Sequence, residues 1–477
     1  MGESDQGGGH LARLKGARVN DMAAVQWDAM TAQLVDYAES ARYNALSDSV
    51  IHETRRRLID TFASAIGAYD EELSRMARTV AGRSRGEPDA AVWGSTMRTT
   101  PEAAAFANGV MVRLLDISDT YLGKSRGHPS DMTSGLIALA EGVHADGKSL
   151  IAAIVLAYDV YCSFCKAVDI NTRGWDQPVY SGLGCVLGAS RLLKLTREQT
   201  GDAIALALAP NMALAQSRRG HLSSWKGCAG ANASRNAVFA ALLAKDGFTG
   251  PTAVFEGDGG LYHAIGKFDW PLPEAGHHMI VETHIKALPV CYHGQSPTEV
   301  AIGMHGRIDA AEIETVEVET YGTAVMMMGA DPSRWAPTTH ETADHSLPYC
   351  VSVALLDGKV TGDSFADARL TDPAVVDLMR KVKVREDAKL SALYPEGSPG
   401  RVTVRMRTGE THSAELRYPK GHAQSTMTDT EVEAKFRELC GKHLGERGCD
   451  AALKAVWNLE QATDVGRDVV ALLAAAK

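Results

Sequence analysis

The chain has 477 residues and a formal net charge of −10. That length exceeds a single ordinary core and predicts two or more lobes, while 45% hydrophobic and 23% charged residues are the balance of a globular protein. Aromatic residues make up only 6% and no basic tail or arginine–aromatic stripe is present, which argues against nucleic-acid binding.

The opening MGESDQGGGH is polar and glycine-rich, so residues 1–19 are expected to form a flexible tail without a hydrophobic signal region. From there to about 280 the pattern reads as helix after helix. Ser47 to Tyr69 places Ile51, Leu58, Phe62, Ala65 and Ile66 on one stripe, with Ser47 and Asp48 as caps. The apolar stretch LIAAIVLAYDVYC at 150–162 is too short to span a bilayer, contains Asp159, and reads as a buried helix. Thr196 to Gln199 is a capping box, and Pro210 stops the helix that it starts. A further helix runs from about Asn232 to Gly247.

The texture changes near 280. HMIVETHIKALPV and EIETVEVETYGTAV alternate as strands do, and RVTVRMRTGETHSAELRYP predicts a hairpin turning at Thr408-Gly409. Helices are expected at about 295–306, 344–357 and 373–383. Helical texture returns after Pro419, with a second capping box at Thr428 to Glu431. The fold class is therefore mainly α. A large helical domain (20–283 plus 421–477) carries an inserted smaller α+β lid domain (284–420), with a cleft between them as the natural ligand site.

Eight cysteines are scattered along the chain without the spacing of a disulfide framework, which suggests a reducing cytoplasm. Cys162 and Cys165 form a C-x-x-C, but they share one face of the apolar helix pattern and read as core.

The most informative segment is Leu114 to Asp131, LLDISDTYLGKSRGHPSD. Asp116, Asp119, Thr120, Lys124, Arg126, His128, Ser130 and Asp131 crowd a loop between two apolar helices, where a catalytic site is expected. A second segment, Arg218 to Gly230, gathers Arg218, Arg219, His221 and Lys226 just before a helix, an arrangement suited to an anion. A third, Lys286 to Ser296, brings Lys286, Tyr292 and His293 to the domain seam on an expected strand. Glu341 to Ser346 precedes another helix, and Asp344 or Ser346 is read there as an N-cap.

Asp116, Asp119, His128 and Asp131 form an oxygen-rich set, but no two-histidine helix motif or cysteine cluster accompanies them, so no metal is expected. No Walker or Rossmann glycine pattern is visible; Gly257 to Gly260 reads as a turn. No cofactor is expected.

RRRLIDTFASAIGAY at 55–69, LLDISDTYLGKSRGHPSD, SWKGCAGANASRNAVFAALLAKDGFTGP at 224–251, KALPVCYHGQS and ETADHSLPY together resemble the MmgE/PrpD family over nearly the whole chain. The resemblance implies a helical domain with an α+β lid, a homodimer, and work without metal or organic cofactor. It places the family's active-site aspartate, threonine, histidine and lysine on Asp116, Thr120, His128 and Lys226, and a second lysine on Lys286. Arg218, Arg219, Tyr292 and His293 join these as candidate substrate-binding residues. Three positions depart from the family pattern: Ser118 before the Asp-Thr pair, Asp176-Gln177 after Gly174-Trp175, and Cys291, where a lid histidine stands in the decarboxylase branch.

The expected activity is that of a cofactor-free hydro-lyase acting on a 2-methylcitrate-like di- or tricarboxylic acid by proton transfer next to a carboxylate. Two alternatives stand beside it. One is an isomerase, epimerase or decarboxylase on a related polycarboxylate, cis-aconitate- or iminodisuccinate-like. The other is a non-catalytic carboxylate-binding relative. His128, with an intrinsic pKa near ~6.5, suits the proton transfer. Asp116 is expected to orient and charge-tune that imidazole or to serve as a second acid/base, Thr120 to hold a substrate hydroxyl or carboxylate, and the lysines to bind the acid, with Tyr292 or His293 as the acid for the leaving hydroxyl. Nucleic acid and membrane are not expected as partners.

Overall fold

The computed structural model describes residues 26–219 and 222–474. The expected tail over 1–19, the start of the expected helical domain and His221 lie outside the described residues. The fold is mainly α, with small sheets.

Helix Asp48–Gly67 begins where Ser47 accepts the Val50 N–H at 3.4 Å, and it buries the apolar stripe expected from the sequence. It packs on the long helix Asp429–Trp457, whose Thr428–Glu431 capping box is formed. Helix Pro101–Leu114 lies against helix Trp225–Lys245. Their approach is close because Gly109 has no side chain: a β-carbon there would lie 2.8 Å from that of Ala231. Alanine and glycine at such crossings bring backbones together and exclude larger side chains.

Helix Gly147–Ala167 corrects one expectation. Its 21 residues are long and apolar enough to cross a membrane, whereas the sequence suggested a shorter element. Of its apolar window, 83% is buried inside the protein, against helix Pro178–Leu192 and its neighbours. It serves as a core helix, with Cys162 and Cys165 fully buried in it.

One hydrophobic cluster joins residues from Met30 to Ile285 with Met427 to Leu473. A second gathers residues from Val290 to Met406. The second is built on a four-stranded sheet in the order Val382–Glu386, Ile313–Thr320, Gly400–Met406, Thr411–Leu416. The first pair is parallel and the other two are antiparallel. Val402, Val404 and Met406 alternate inward, as the two-residue period of a strand requires. Helices Gln295–Met304 and Leu347–Asp357 pack together, the first against Gly400–Met406 and the second against Val382–Glu386.

The Thr408-Gly409 hairpin forms as read, with Gly409 at φ 89°. Three neighbouring readings need correction. HMIVETHIKALPV is not a strand: Met279–Glu282 is a 3-10 turn, and His284 makes one isolated bridge to Thr120. The expected strand EIETVEVETYGTAV ends at Thr320, and Gly322–Met328 is helical. The helix expected to reach 383 ends at Met379, giving way to the strand Val382–Glu386.

Candidate active site

Helix Pro101–Leu114 ends two residues before Asp116, which adopts a left-handed conformation at φ 48°. That conformation is uncommon for a residue with a side chain and is held only where the surroundings enforce it. Here they do. Asp116 is buried, and Lys286 Nζ donates to its Oδ1 at 2.7 Å and to its carbonyl at 2.6 Å. Arg113 Nη1 donates to Oδ1 at 3.0 Å. Lys226 Nζ stands 3.7 Å from Oδ2. Burial alone would raise this carboxyl, but Lys286, Lys226, Arg113 and His345 outweigh it and hold it well below the usual carboxylate range.

The chain then turns back in a two-residue pairing, Tyr121–Leu122 with Arg126–Gly127. Thr120 braces the turn through its hydroxyl, which donates to the Gly127 carbonyl at 2.9 Å. Gly127 is required by space. A β-carbon there would lie 2.0 Å from the Tyr161 hydroxyl and 2.1 Å from Gln177 Oε1. That same Gln177 oxygen accepts the His128 N–H at 3.0 Å. The His128 ring is set by a backbone group: Nδ1 is 2.8 Å from the Asp119 carbonyl oxygen. A carbonyl can only accept, so Nδ1 carries the proton and Nε2 keeps its lone pair. Burial, with Arg113 and Lys286 nearby, pushes the imidazole well below its ordinary value. His128 is therefore a neutral base at neutral pH. The expectation that Asp116 orients this ring is corrected: the Asp119 carbonyl does so, while Asp116 holds cations.

One cavity of about 430 Å³ is lined by Asp116, Thr120, His128, Lys226 and Lys286. The four residues read as catalytic and the second lysine thus meet in one place. Lys226 lies in the first turn of helix Trp225–Lys245, several residues earlier than the helix start expected from the sequence. Its charge therefore adds to the helix's own partial positive end.

The remaining candidates divide. Tyr292 and His293 line the cavity, on a 3-10 turn and not on the strand expected for them. His293 Nδ1 pairs with the Tyr321 hydroxyl at 2.6 Å, and burial pushes its imidazole well down. The Tyr292 hydroxyl is buried without a hydrogen-bond partner among the described residues. Arg218 lines the cavity but is engaged by Asp176, at 2.8 and 2.9 Å from its Nε. Arg219 also lines the cavity, at its exposed rim, and donates to the Asn171 carbonyl at 3.2 Å. The departures from the family pattern have local roles: Asp176 holds Arg218, Gln177 holds His128, and Ser118 accepts from Arg113 at 3.4 Å.

Sequence reasoning missed three contributors. Ser346 supplies the N-cap, accepting the Tyr349 N–H at 3.2 Å. That leaves Asp344 and His345 free for the cavity side. His345 lines the cavity, its Nδ1 pairs closely with Asp344, and its Nε2 stands 3.7 Å from Asp116. Burial and Lys226 oppose protonation of this imidazole, but Cys291 and Asp344 lift it to about 9. Arg334 also lines the cavity, 7% exposed, with its Nε and Nη1 unpartnered among the described residues. A buried guanidinium with free donors is a ready partner for a carboxylate. Finally, Lys435 on the long C-terminal helix donates to Asp60 at 2.5 Å and to the Ile117 and Lys286 carbonyls at 2.8 Å, fixing the back of the site. An acid on the apolar stripe of helix Asp48–Gly67 was the available signal for that partner.

Asp116, Asp344 and His345 are close enough to share a metal ion. The donor set does not fit one. Lys226 Nζ lies between the carboxylates, 3.7 Å from Asp116 and 3.6 Å from Asp344, and Lys286 adds its own charge to Asp116. Ammonium groups already balance the acids where a divalent cation would have to do so. The arrangement defines a class: a cavity lined by two differently paired imidazoles and by several cations, suited to binding a polyanionic acid and to proton transfer on it.

Comparison with known proteins agrees with this class. Residues 32–271 match the MmgE/PrpD N-terminal domain and residues 288–461 match the MmgE/PrpD C-terminal domain. The chain belongs to the MmgE/PrpD family. It is 26% identical over 464 residues to a 2-methylcitrate dehydratase of Cupriavidus necator, covering 91% of this chain and 94% of the relative. It is 25% identical over 438 residues to the 2-methylcitrate dehydratase of Escherichia coli strain K12, covering 86% and 89%. It is also 25% identical over 455 residues to the human cis-aconitate decarboxylase, covering 88% and 89%.

Proposed function

We propose that the chain is a hydro-lyase that eliminates water from a 2-methylcitrate-like di- or tricarboxylic acid, without a metal. The observation that carries the reading is the pairing of two histidines in one cavity with different partners: His128 Nδ1 with the Asp119 carbonyl, which leaves Nε2 its lone pair, and His345 Nδ1 with the Asp344 carboxylate, which favours its charged form. His128 Nε2 takes the proton α to a carboxylate. The charge that builds on that carboxylate meets Lys226 and Lys286, and Arg334 holds a second carboxylate. The hydroxyl on the next carbon leaves as water with the proton of the His345 imidazolium. Cations fixed in place before the reaction stabilise the enolate-like charge without reorganising, and a proton donor with a pKa above neutrality stays loaded.

In this reading the residues around the second hydrophobic cluster act as a lid, contributing Lys286, Cys291, Arg334 and His345 to the cavity. The names of the relatives, 2-methylcitrate dehydratase and cis-aconitate decarboxylase, support a small carboxylate as the substrate; a homodimer and a cytoplasmic setting complete the proposal. The test is a screen of 2-methylcitrate, citrate, cis-aconitate and iminodisuccinate by proton NMR in deuterated water. Loss of the saturated C–H signals with appearance of alkene product signals is the expected result: a vinyl proton from citrate, or a methyl doublet replaced by a methyl singlet from 2-methylcitrate. Deuterium exchange or epimerisation without elimination, or release of carbon dioxide, would replace the lyase reading by the isomerase or decarboxylase one.

A further inference from the structure

Arg218 reaches the cavity side-on. Its Nε donates to both oxygens of Asp176, at 2.8 and 2.9 Å, while Nη1 and Nη2 make no hydrogen bond among the described residues. An arginine paired with a carboxylate usually spends its fork on it, with two donors on two oxygens. Here the fork is left over, on a side chain that is 19% exposed and lines the cavity.

The surroundings of Asp176 fix that pose. Asp176 is fully buried. Besides Arg218, its Oδ1 accepts the Gln177 N–H at 2.8 Å and its Oδ2 accepts the Ser217 hydroxyl at 3.0 Å. Each oxygen thus has two donors, which fills the lone-pair sites of a carboxylate and leaves none for a ligand. The backbone is tied as well: the Asp176 N–H donates to the Ala213 carbonyl and the Ala215 N–H to the Gly174 carbonyl, each at 2.9 Å. These bonds hold the 3-10 turn Ala215–Arg218 against the segment that carries Asp176. They staple the two segments without any guanidinium, so the staple does not account for Arg218. Gln177, the next residue, accepts the His128 N–H at 3.0 Å. Adjacent side chains therefore set a guanidinium and the base against the same cavity. The Asp176–Arg218 pair is neutral as a whole, so it adds direction and not net charge to a wall that already holds Lys226, Lys286 and Arg334.

We propose that Asp176 is a positioning residue for Arg218, and that the free fork of Arg218 takes a carboxylate of the ligand that plays no part in proton transfer. The pair is then a specificity determinant: it favours an acid with a third carboxylate over the same carbon chain with two. That the ligand is a polycarboxylate comes from the function proposed above; the pose of the pair does not depend on it.

The experiment is calorimetric titration of the full chain with tricarballylate and with glutarate, which share one carbon chain and differ only in the central carboxylate. Neither carries a hydroxyl to eliminate, so binding is read without turnover. Tricarballylate is expected to bind at least about tenfold tighter, the worth of one charge-assisted contact. Arg218→Lys keeps the ion pair with Asp176 but has no second pair of donors, and should bring the ratio below about threefold, mainly by weakening the triacid. Asp176→Ala separates positioning from charge. Loss of a neighbouring carboxylate would tighten an anion held by charge alone. With Arg218 no longer aimed, the triacid is expected instead to bind at least about threefold more weakly, with glutarate little changed. Melting temperatures report on folding, and Arg218→Lys carries the test if Asp176→Ala does not fold. A parent ratio near unity, a ratio unchanged in Arg218→Lys, or triacid binding that is unchanged or tighter in Asp176→Ala overturns the proposal alone. Binding of neither acid to the parent overturns the polycarboxylate reading, and the role of the pair with it.

Discussion

Lys286 Nζ donates both to the side-chain carboxylate of Asp116, at 2.7 Å, and to its backbone carbonyl, at 2.6 Å. One fully buried ammonium therefore fixes both the charge and the left-handed backbone of a residue far away in sequence. The carboxylate is in turn the hub on which Arg113, Lys226 and His345 converge. Lys286 is thus a structural clamp on the loop carrying His128, besides the substrate-binding role proposed for it.

Lys286→Met is expected to lower unfolding free energy by about 3–5 kcal/mol, since removing one member of a buried pair leaves the other charge uncompensated. Asp116→Asn combined with Lys286→Met is expected to recover part of that loss. Urea denaturation of the single and double variants measures both. A single variant as stable as the parent would mean that the pair does not hold the loop.

His128→Gln is expected to reduce kcat/KM by at least about 10²-fold, the lower end of a typical acid–base contribution, with a circular dichroism spectrum like the parent's. The pH dependence has a defined sign. The folded pKa of His128 lies well below its unfolded value, so the base is already free at pH 6.5. The acid limb of kcat/KM should fall below that pH. The same shift makes stability rise with pH: its contribution is present above the unfolded pKa and is lost as pH falls towards the folded one.

The loop of Asp116, Thr120 and His128 was legible in the sequence because its polar residues interrupt two apolar helices, and no core can take that many acids and bases without a use for them. His345 was not, because Asp344 and Ser346 both satisfy the rule for an N-cap, and only the observed Ser346–Tyr349 bond shows which one is used. The stretch around Lys286 misled for a different reason. Its alternation is that of an extended chain, but its backbone groups bond to Thr120 and Gly421 instead of to neighbouring strands. Alternation reports extension; it does not say what the extended chain pairs with. Arg334 carries no local signal, since its meaning comes entirely from the cavity that it enters.

Arg334→Ala and Lys226→Ala should separate binding from chemistry. Arg334 has donors unpartnered among the described residues, so its loss is expected to raise KM about tenfold or more with a smaller change in kcat, the pattern of an interaction shared by ground and transition states. Lys226 meets the carboxylate next to the breaking C–H bond, so its loss lowers kcat as well. Steady-state kinetics on the acid found by the NMR screen distinguishes the two. Equal effects on kcat and KM in both variants would contradict the assignment of separate carboxylates.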